Sequence, residues 1–129
     1  MDEKEICNIL IKELLNMKFI VHKYHSITTQ SIYIKLDYGV CCGIRISNHK
    51  GKKKYHYRFN VIKDYKGDKV THFENLVSYF FTFEELDKLL EQVKKEKESK
   101  IQKYGIEKYK KLIDKEKDND LFKRFKKVK

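Results

Sequence analysis

Two runs of strict alternation, separated by a glycine-containing turn, constrain this chain more than any other feature. In Ser31–Asp37, Ile32, Ile34 and Leu36 alternate with Ser31, Tyr33, Lys35 and Asp37. In Gly43–His49, Ile44 and Ile46 alternate with Arg45, Ser47 and His49. Successive side chains of a β-strand point to opposite faces, so each run carries one apolar and one polar side. Tyr38-Gly39-Val40 reads as a turn, and Cys41–His49 as the return strand of an antiparallel hairpin. A turn of about three residues sets Tyr33 opposite Arg45 and Ser31 opposite Ser47, with opposed side chains about 5 Å apart.

The polar side of this hairpin gathers chemistry suited to a phosphate. Arg45 offers two donors in a planar fork, while Ser31, Ser47 and Tyr33 offer hydroxyls. An imidazole such as that of His49 can act as general base or acid. His56 and Arg58 extend the set on one side of a third run, Tyr55–Ile62, whose other side carries Tyr55, Tyr57, Phe59 and Val61. His49, Arg45 and Tyr33 form a candidate catalytic group for metal-independent cleavage of RNA by its own 2′-hydroxyl. That reaction needs a base, an acid and positive charge near the phosphorus. Ser31, Ser47, Lys52, Lys53, Lys54, His56 and Arg58 are candidate phosphate or nucleic-acid contacts. Lys50–Arg58 mixes cations with aromatics, as nucleic-acid surfaces do. The bland alternative is an ordinary solvated sheet face beside a solvated basic loop.

Helices flank the strands. Residues 3–17 carry a stripe of Ile6, Leu10, Leu14 and Met17, with Asp2 as cap and Glu5 as capping-box partner. Thr82 and Glu85 mark a second start, followed by Leu86, Leu89, Leu90 and Val93. Beyond Val93 the stripe weakens, with Lys97 at an apolar position, then Ile101, Tyr104, Tyr109, Leu112 and Ile113. Gly105 costs about 1 kcal/mol inside a helix, so the helix either runs on as an exposed arm or breaks and folds back. Lys66-Gly67-Asp68 reads as a turn, and Thr71–Phe81 fits either a fourth strand or a short helix over Phe73–Phe80. The expected fold is α+β: an N-terminal helix, a three- to four-stranded antiparallel sheet and a long C-terminal helix. Residues 1–98 form one domain; residues 99–129 are a basic helical extension or a flexible tail.

Charge narrows the partners. The 129 residues hold 30 Lys+Arg against 19 Asp+Glu, a net charge of +11. Residues 94–129 hold 15 basic and 7 acidic side chains, a net of +8. Such a chain seeks an anionic partner, and the run Lys123–Lys127 reads as a backbone-contacting arm or a solubilising tail. Three cysteines, two of them adjacent, suit a reducing cytosol better than a disulfide framework. No apolar run reaches membrane-span length and no signal peptide opens the chain, so a cytoplasmic protein without a membrane partner is expected. His22-x-x-His25 with Cys41 and Cys42 matches no standard zinc spacing, and neither metal nor cofactor is expected. Gly-rich phosphate loops, nucleophile elbows and paired catalytic carboxylates are missing from the sequence. The absence of Pro and Trp and the wealth of Lys, Ile, Tyr and Phe are typical of AT-rich coding sequence, as in low-GC bacteria and their phages.

Ser31-Ile-Tyr33 followed by Ile44-Arg45-Ile46-Ser47-Asn48-His49 resembles a small basic phage family, the broad-spectrum type II-A anti-CRISPR proteins that shut down Cas9. Those proteins carry a Ser…Tyr…Ile-Arg-Leu-Ser-Asn-His segment in the same kind of hairpin. The resemblance covers about residues 31–93, and its specific part is fewer than ten residues. It implies inhibition of a CRISPR ribonucleoprotein inside a bacterial host cell, by acting on or promoting loss of its guide RNA. Ser31, Tyr33, Arg45, Ser47 and His49 would then carry the function. A member of that family places its basic, flexible region at the N-terminus; here it is C-terminal. Two other classes fit the same residues. One is a non-catalytic binder that blocks a nucleic-acid channel or sequesters a signalling nucleotide. The other is a DNA-associated regulator, dimeric through its C-terminal helix.

Overall fold

A computed structural model describes residues 2–26, 31–47, 56–62, 76–117 and 124–128. The chain opens with α1 (Glu3–Asn16), where the Asp2 carboxylate accepts from the Glu5 N–H at 2.9 Å. This cap satisfies one of the orphan donors of the first turn. The helix buries Ile6, Cys7, Leu10, Ile11 and Leu14. It stops at Lys18, whose φ of 68° is left-handed. Six antiparallel strands follow among the described residues: β1 (Val21–His25), β2 (Ile32–Leu36), β3 (Gly43–Ile46), β4 (Tyr57–Ile62), β5 (Leu76–Phe81) and β6 (Lys126–Val128). Between β5 and β6 lie α2 (Leu86–Tyr104) and α3 (Ile106–Glu116).

The sheet order is β5-β4-β3-β2-β1-β6, so β1 to β5 form a continuous meander and the last strand returns beside the first. The fold class is α+β, as the sequence predicts, but the sheet is wider than the expected three or four strands. β1 escapes pattern reading because only Val21 of its alternating set Val21, Lys23 and His25 is apolar; Lys23 is half-buried and His25 exposed. β6 is only three residues long, with Val128 alone packing on the core. Leu76–Phe81 is a strand rather than part of a helix. The candidate turn at Lys66-Gly67-Asp68 lies outside the described residues.

The core fills the space between one face of the sheet and the two helices α1 and α2. Leu10 and Leu14 meet Ile34, Leu36, Ile44, Ile46, Tyr57 and Phe59 from the strands, with Leu89 and Val93 from α2. Thr82 and Glu85 form the reciprocal capping box, with the Thr82 N–H donating to the Glu85 carboxylate at 3.0 Å. One 3₁₀ turn, Phe83–Glu85, then leads into α2. Lys97 sits on the apolar stripe because its ammonium meets the Asp37 carboxylate at 2.9 Å. No helix of the described residues is long and apolar enough to cross a membrane.

The long C-terminal helix does break. Gly105 stands at φ 87°, ψ 153°, and its N–H closes α2 on the Ile101 carbonyl at 2.7 Å. This backbone region is essentially glycine-only. The break lets α3 fold back, so that Tyr109 and Leu112 pack with Val40, Cys42 and Ile62 in a second apolar cluster. Gly105→Ala should therefore cost about 1–3 kcal/mol although open space surrounds the new methyl group. A urea midpoint unchanged from the parent would contradict this.

All three cysteines are free and buried. Burial pushes the Cys7 thiol up to about 11 and raises Cys41 as well. A thiolate is the reactive species, so the native protein should resist a thiol reagent at pH 8. Three equivalents should appear only in denaturant. Rapid labelling of the folded chain would show that the thiols are accessible.

Candidate functional site

The second face of the sheet carries the predicted polar groups. Tyr33 on β2 pairs with Arg45 on β3, the pairing the sequence predicts, although the connection is longer than the expected turn: residues 37–42, opening on a 3₁₀ turn over Asp37–Gly39. Arg45 pairs in turn with Arg58 on β4. Two guanidinium groups are thus held on neighbouring strands, where side chains directly opposite lie about 5 Å apart. Both residues are half-buried, and the Nε of each is shielded from solvent with no hydrogen-bond partner. Burial disfavours the charged form of Arg58, and the neighbouring Arg45 disfavours it further, while Tyr33 opposes them. Arginine nevertheless keeps its charge in proteins. Like charges facing each other across a sheet are destabilising, so this pair costs the free protein stability.

The described strands do not neutralise the pair. None of the six described strands contains an Asp or Glu, whereas the face that bears Arg45 and Arg58 also carries Lys35 and Lys127. Gly43, next to Arg45 on the same face, has a structural reason. A Cβ there would lie 2.6 Å from the Ile34 carbonyl oxygen. The bare backbone leaves room for Lys35, whose Nζ reaches 3.6 Å from that Cβ position. A third cation is thereby brought towards the arginine pair. Beyond it, His22 lies between Lys35 and Lys127 in register. Burial and the Lys127 charge hold the imidazole below its usual pKa.

The remaining predicted residues have different settings. Ser31 and Ser47 adjoin the ends of β2 and β3 and are buried. Backbone bonds fasten both: the Ser26 N–H donates to the Ser31 carbonyl at 2.9 Å, and the Ser47 N–H to that of His56 at 3.0 Å. His56 is buried, and its Nδ1 accepts from the Phe83 N–H at 3.1 Å. Its ring stacks on Phe83 with centroids 3.9 Å apart. This imidazole holds the turn that starts α2. His49, Lys52, Lys53 and Lys54 lie outside the described residues.

Two aromatic residues on this face were not among the predicted contacts. Tyr24 on β1 pairs with Tyr33, their rings stacked at 6.3 Å, and Phe125 leans on Tyr24 at 5.6 Å. Phe80 on β5 pairs with Arg58 and is 43% exposed. Their signal was a two-residue alternation that becomes readable only once β1 and β5 are known to be strands. Two grooves lie elsewhere. One, of about 580 Å³, runs between Met17, Phe19, Leu90 and Ile101; another, of about 450 Å³, lies along α3 at Tyr104, Lys108 and Lys111. Neither includes Arg45 or Arg58, so the cationic group lies outside both hollows. Comparison with protein-family models, curated proteins and solved structures gave no significant match.

Proposed function

We propose that the protein is a phage-type anti-defence factor that captures RNA on its arginine-bearing sheet face, acting on a CRISPR ribonucleoprotein such as Cas9 through its guide. The observation that carries the anionic-ligand reading is the Arg45–Arg58 pair, with two shielded Nε donors lacking protein partners. A strand set devoid of carboxylates supports it. A bound phosphate would pair with the guanidinium charges and relieve the repulsion between the two cations. The CRISPR setting, and with it a bacterial cytoplasm, rests on the resemblance of Ser31–His49 to anti-CRISPR proteins. In this reading Tyr33 and Lys35 help hold the phosphate. His49 supplies the proton transfer for any cleavage of the guide.

The test incubates the protein with a loaded Cas9–guide complex in EDTA, reading guide integrity on a gel and target cleavage after magnesium is restored. Inhibition of Cas9 that Arg45→Gln abolishes is the expected result. Guide cleavage that His49→Ala removes would place that histidine in catalysis. Inhibition with an intact guide would make the protein a binder. No inhibition by the parent protein would overturn the Cas9 reading.

A further inference from the structure

The cations on this face are flanked by aromatic rings in one continuous line. The register pairs Tyr24 with Tyr33, Tyr33 with Arg45, Arg45 with Arg58, and Arg58 with Phe80. A single row perpendicular to the strands therefore reads Tyr–Tyr–Arg–Arg–Phe across five strands. At the usual inter-strand spacing the row spans about 19 Å. We infer that this row binds single-stranded nucleic acid laid across the strands, a phosphate resting on Arg45 and Arg58 and bases stacking on the tyrosines at one end and Phe80 at the other. The inference rests on the anionic-ligand reading above and adds the form of the ligand.

The arrangement discriminates among anions. A free phosphate or an acidic peptide would engage the guanidinium groups and leave the flanking rings idle. A single nucleotide has one base and cannot reach both ends of a row this wide. A duplex buries its base faces in its own stack, so its phosphates alone could meet a flat sheet. Only an unpaired strand offers alternating charge and π-faces over that distance. Sheet-based RNA-binding modules stack about two or three bases on comparable aromatics. The half-buried setting of Tyr24 and Tyr33 and their mutual stacking hold the rings in place before binding, which lowers the ordering cost. Phe80, although apolar, is left 43% exposed beside Arg58.

The experiment measures fluorescence anisotropy of the full chain with labelled oligouridine and oligodeoxythymidine of about eight nucleotides and with a duplex of equal length. Single strands are expected to bind at least about 10-fold more tightly than the duplex. Tyr24→Leu and Phe80→Leu should each weaken single-strand binding by roughly 5- to 100-fold, the range for loss of one stacked base. Phe80→Trp should restore it, and circular dichroism checks that the leucine variants are folded. Tighter binding of oligouridine than of oligodeoxythymidine would add recognition of the 2′-hydroxyl; equal binding would mean that the row takes either strand. If the leucine variants bind like the parent while Arg45→Gln weakens binding, the stacking inference falls and the anionic reading survives. Equal affinity for duplex and single strand would also overturn it. If no nucleic acid binds, both readings fall together.

Discussion

Asp37→Ala is expected to destabilise the protein by about 3–5 kcal/mol, the range for removing one partner of a buried charge pair. Asp37 is 1% exposed and joins four parts of the fold. Its Oδ1 accepts from the Ile20 N–H at 2.9 Å, just before β1. Its Oδ2 meets the Lys97 ammonium of α2 at 2.9 Å and accepts from the Tyr109 hydroxyl of α3. Lys97 also lies over the Phe19 ring, 4.4 Å from its centroid. Alanine would leave a partly buried N–H and a buried hydroxyl without their acceptor and a partly buried cation without its partner. It would also sit poorly at the left-handed φ of 52° that Asp37 adopts. Asp37→Asn tolerates that backbone and keeps an acceptor oxygen, so it should cost less. Urea melts of both variants measure the difference. An alanine variant within about 1 kcal/mol of the parent would show that the cluster is dispensable.

The second large effect has opposite signs in two measurements. Replacing Arg45 or Arg58 by glutamine should lower affinity for a single-stranded nucleic acid by about 10- to 100-fold, as expected for loss of a charge-assisted hydrogen bond. The logarithmic salt slope should fall by about 0.7 for each phosphate contact removed. The same substitutions should leave the free protein unchanged or raise its stability by about 0.2–1 kcal/mol, because they remove the repulsion between directly opposed cations. A structural arginine would behave in the reverse manner, with stability lost and binding intact. Thermal melts and a salt-dependent titration on the same samples separate the two cases. Gain of stability with loss of binding is the pattern of residues held in place for a ligand.

Much of this arrangement was legible where local rules act alone. The Asp2 cap of α1 and the Thr82–Glu85 capping box follow from residue type and spacing within one turn. The Tyr33–Arg45 register follows from alternation, because a one-residue slip would turn Ile32, Ile34 and Leu36 out of the core. Features that depend on distant partners were not legible. Lys97 looked like a flaw in the stripe of α2 until Asp37, far away in sequence, appeared beneath it. Lys23 disguised β1, since it shares a face with Val21 and yet is only half-buried. The opposition of Arg45 and Arg58 needed the β3–β4 register, which no short turn specifies in this sequence. Tyr24 and Phe80, which complete the row, lie on β1, which periodicity left unassigned, and on β5, which it left open between strand and helix.

The return of β6 to β1 has a consequence for how the chain acquires its structure. Val128 pairs with Val21, while every other strand pairs with its neighbour in sequence. Hairpin contacts close short loops and form early; a pairing between strands so far apart must wait for the intervening chain to be ordered. On the ribosome, the β1–β5 meander can assemble while its flank at β1 is still open. Lys23 and His25 line that open strand, and a charged edge discourages pairing with another nascent chain. The last strand to dock is also the shortest, so closure adds little contact of its own and serves to seal an edge. For β1, exposure to wrong pairing thereby ends once β6 has been made and has docked.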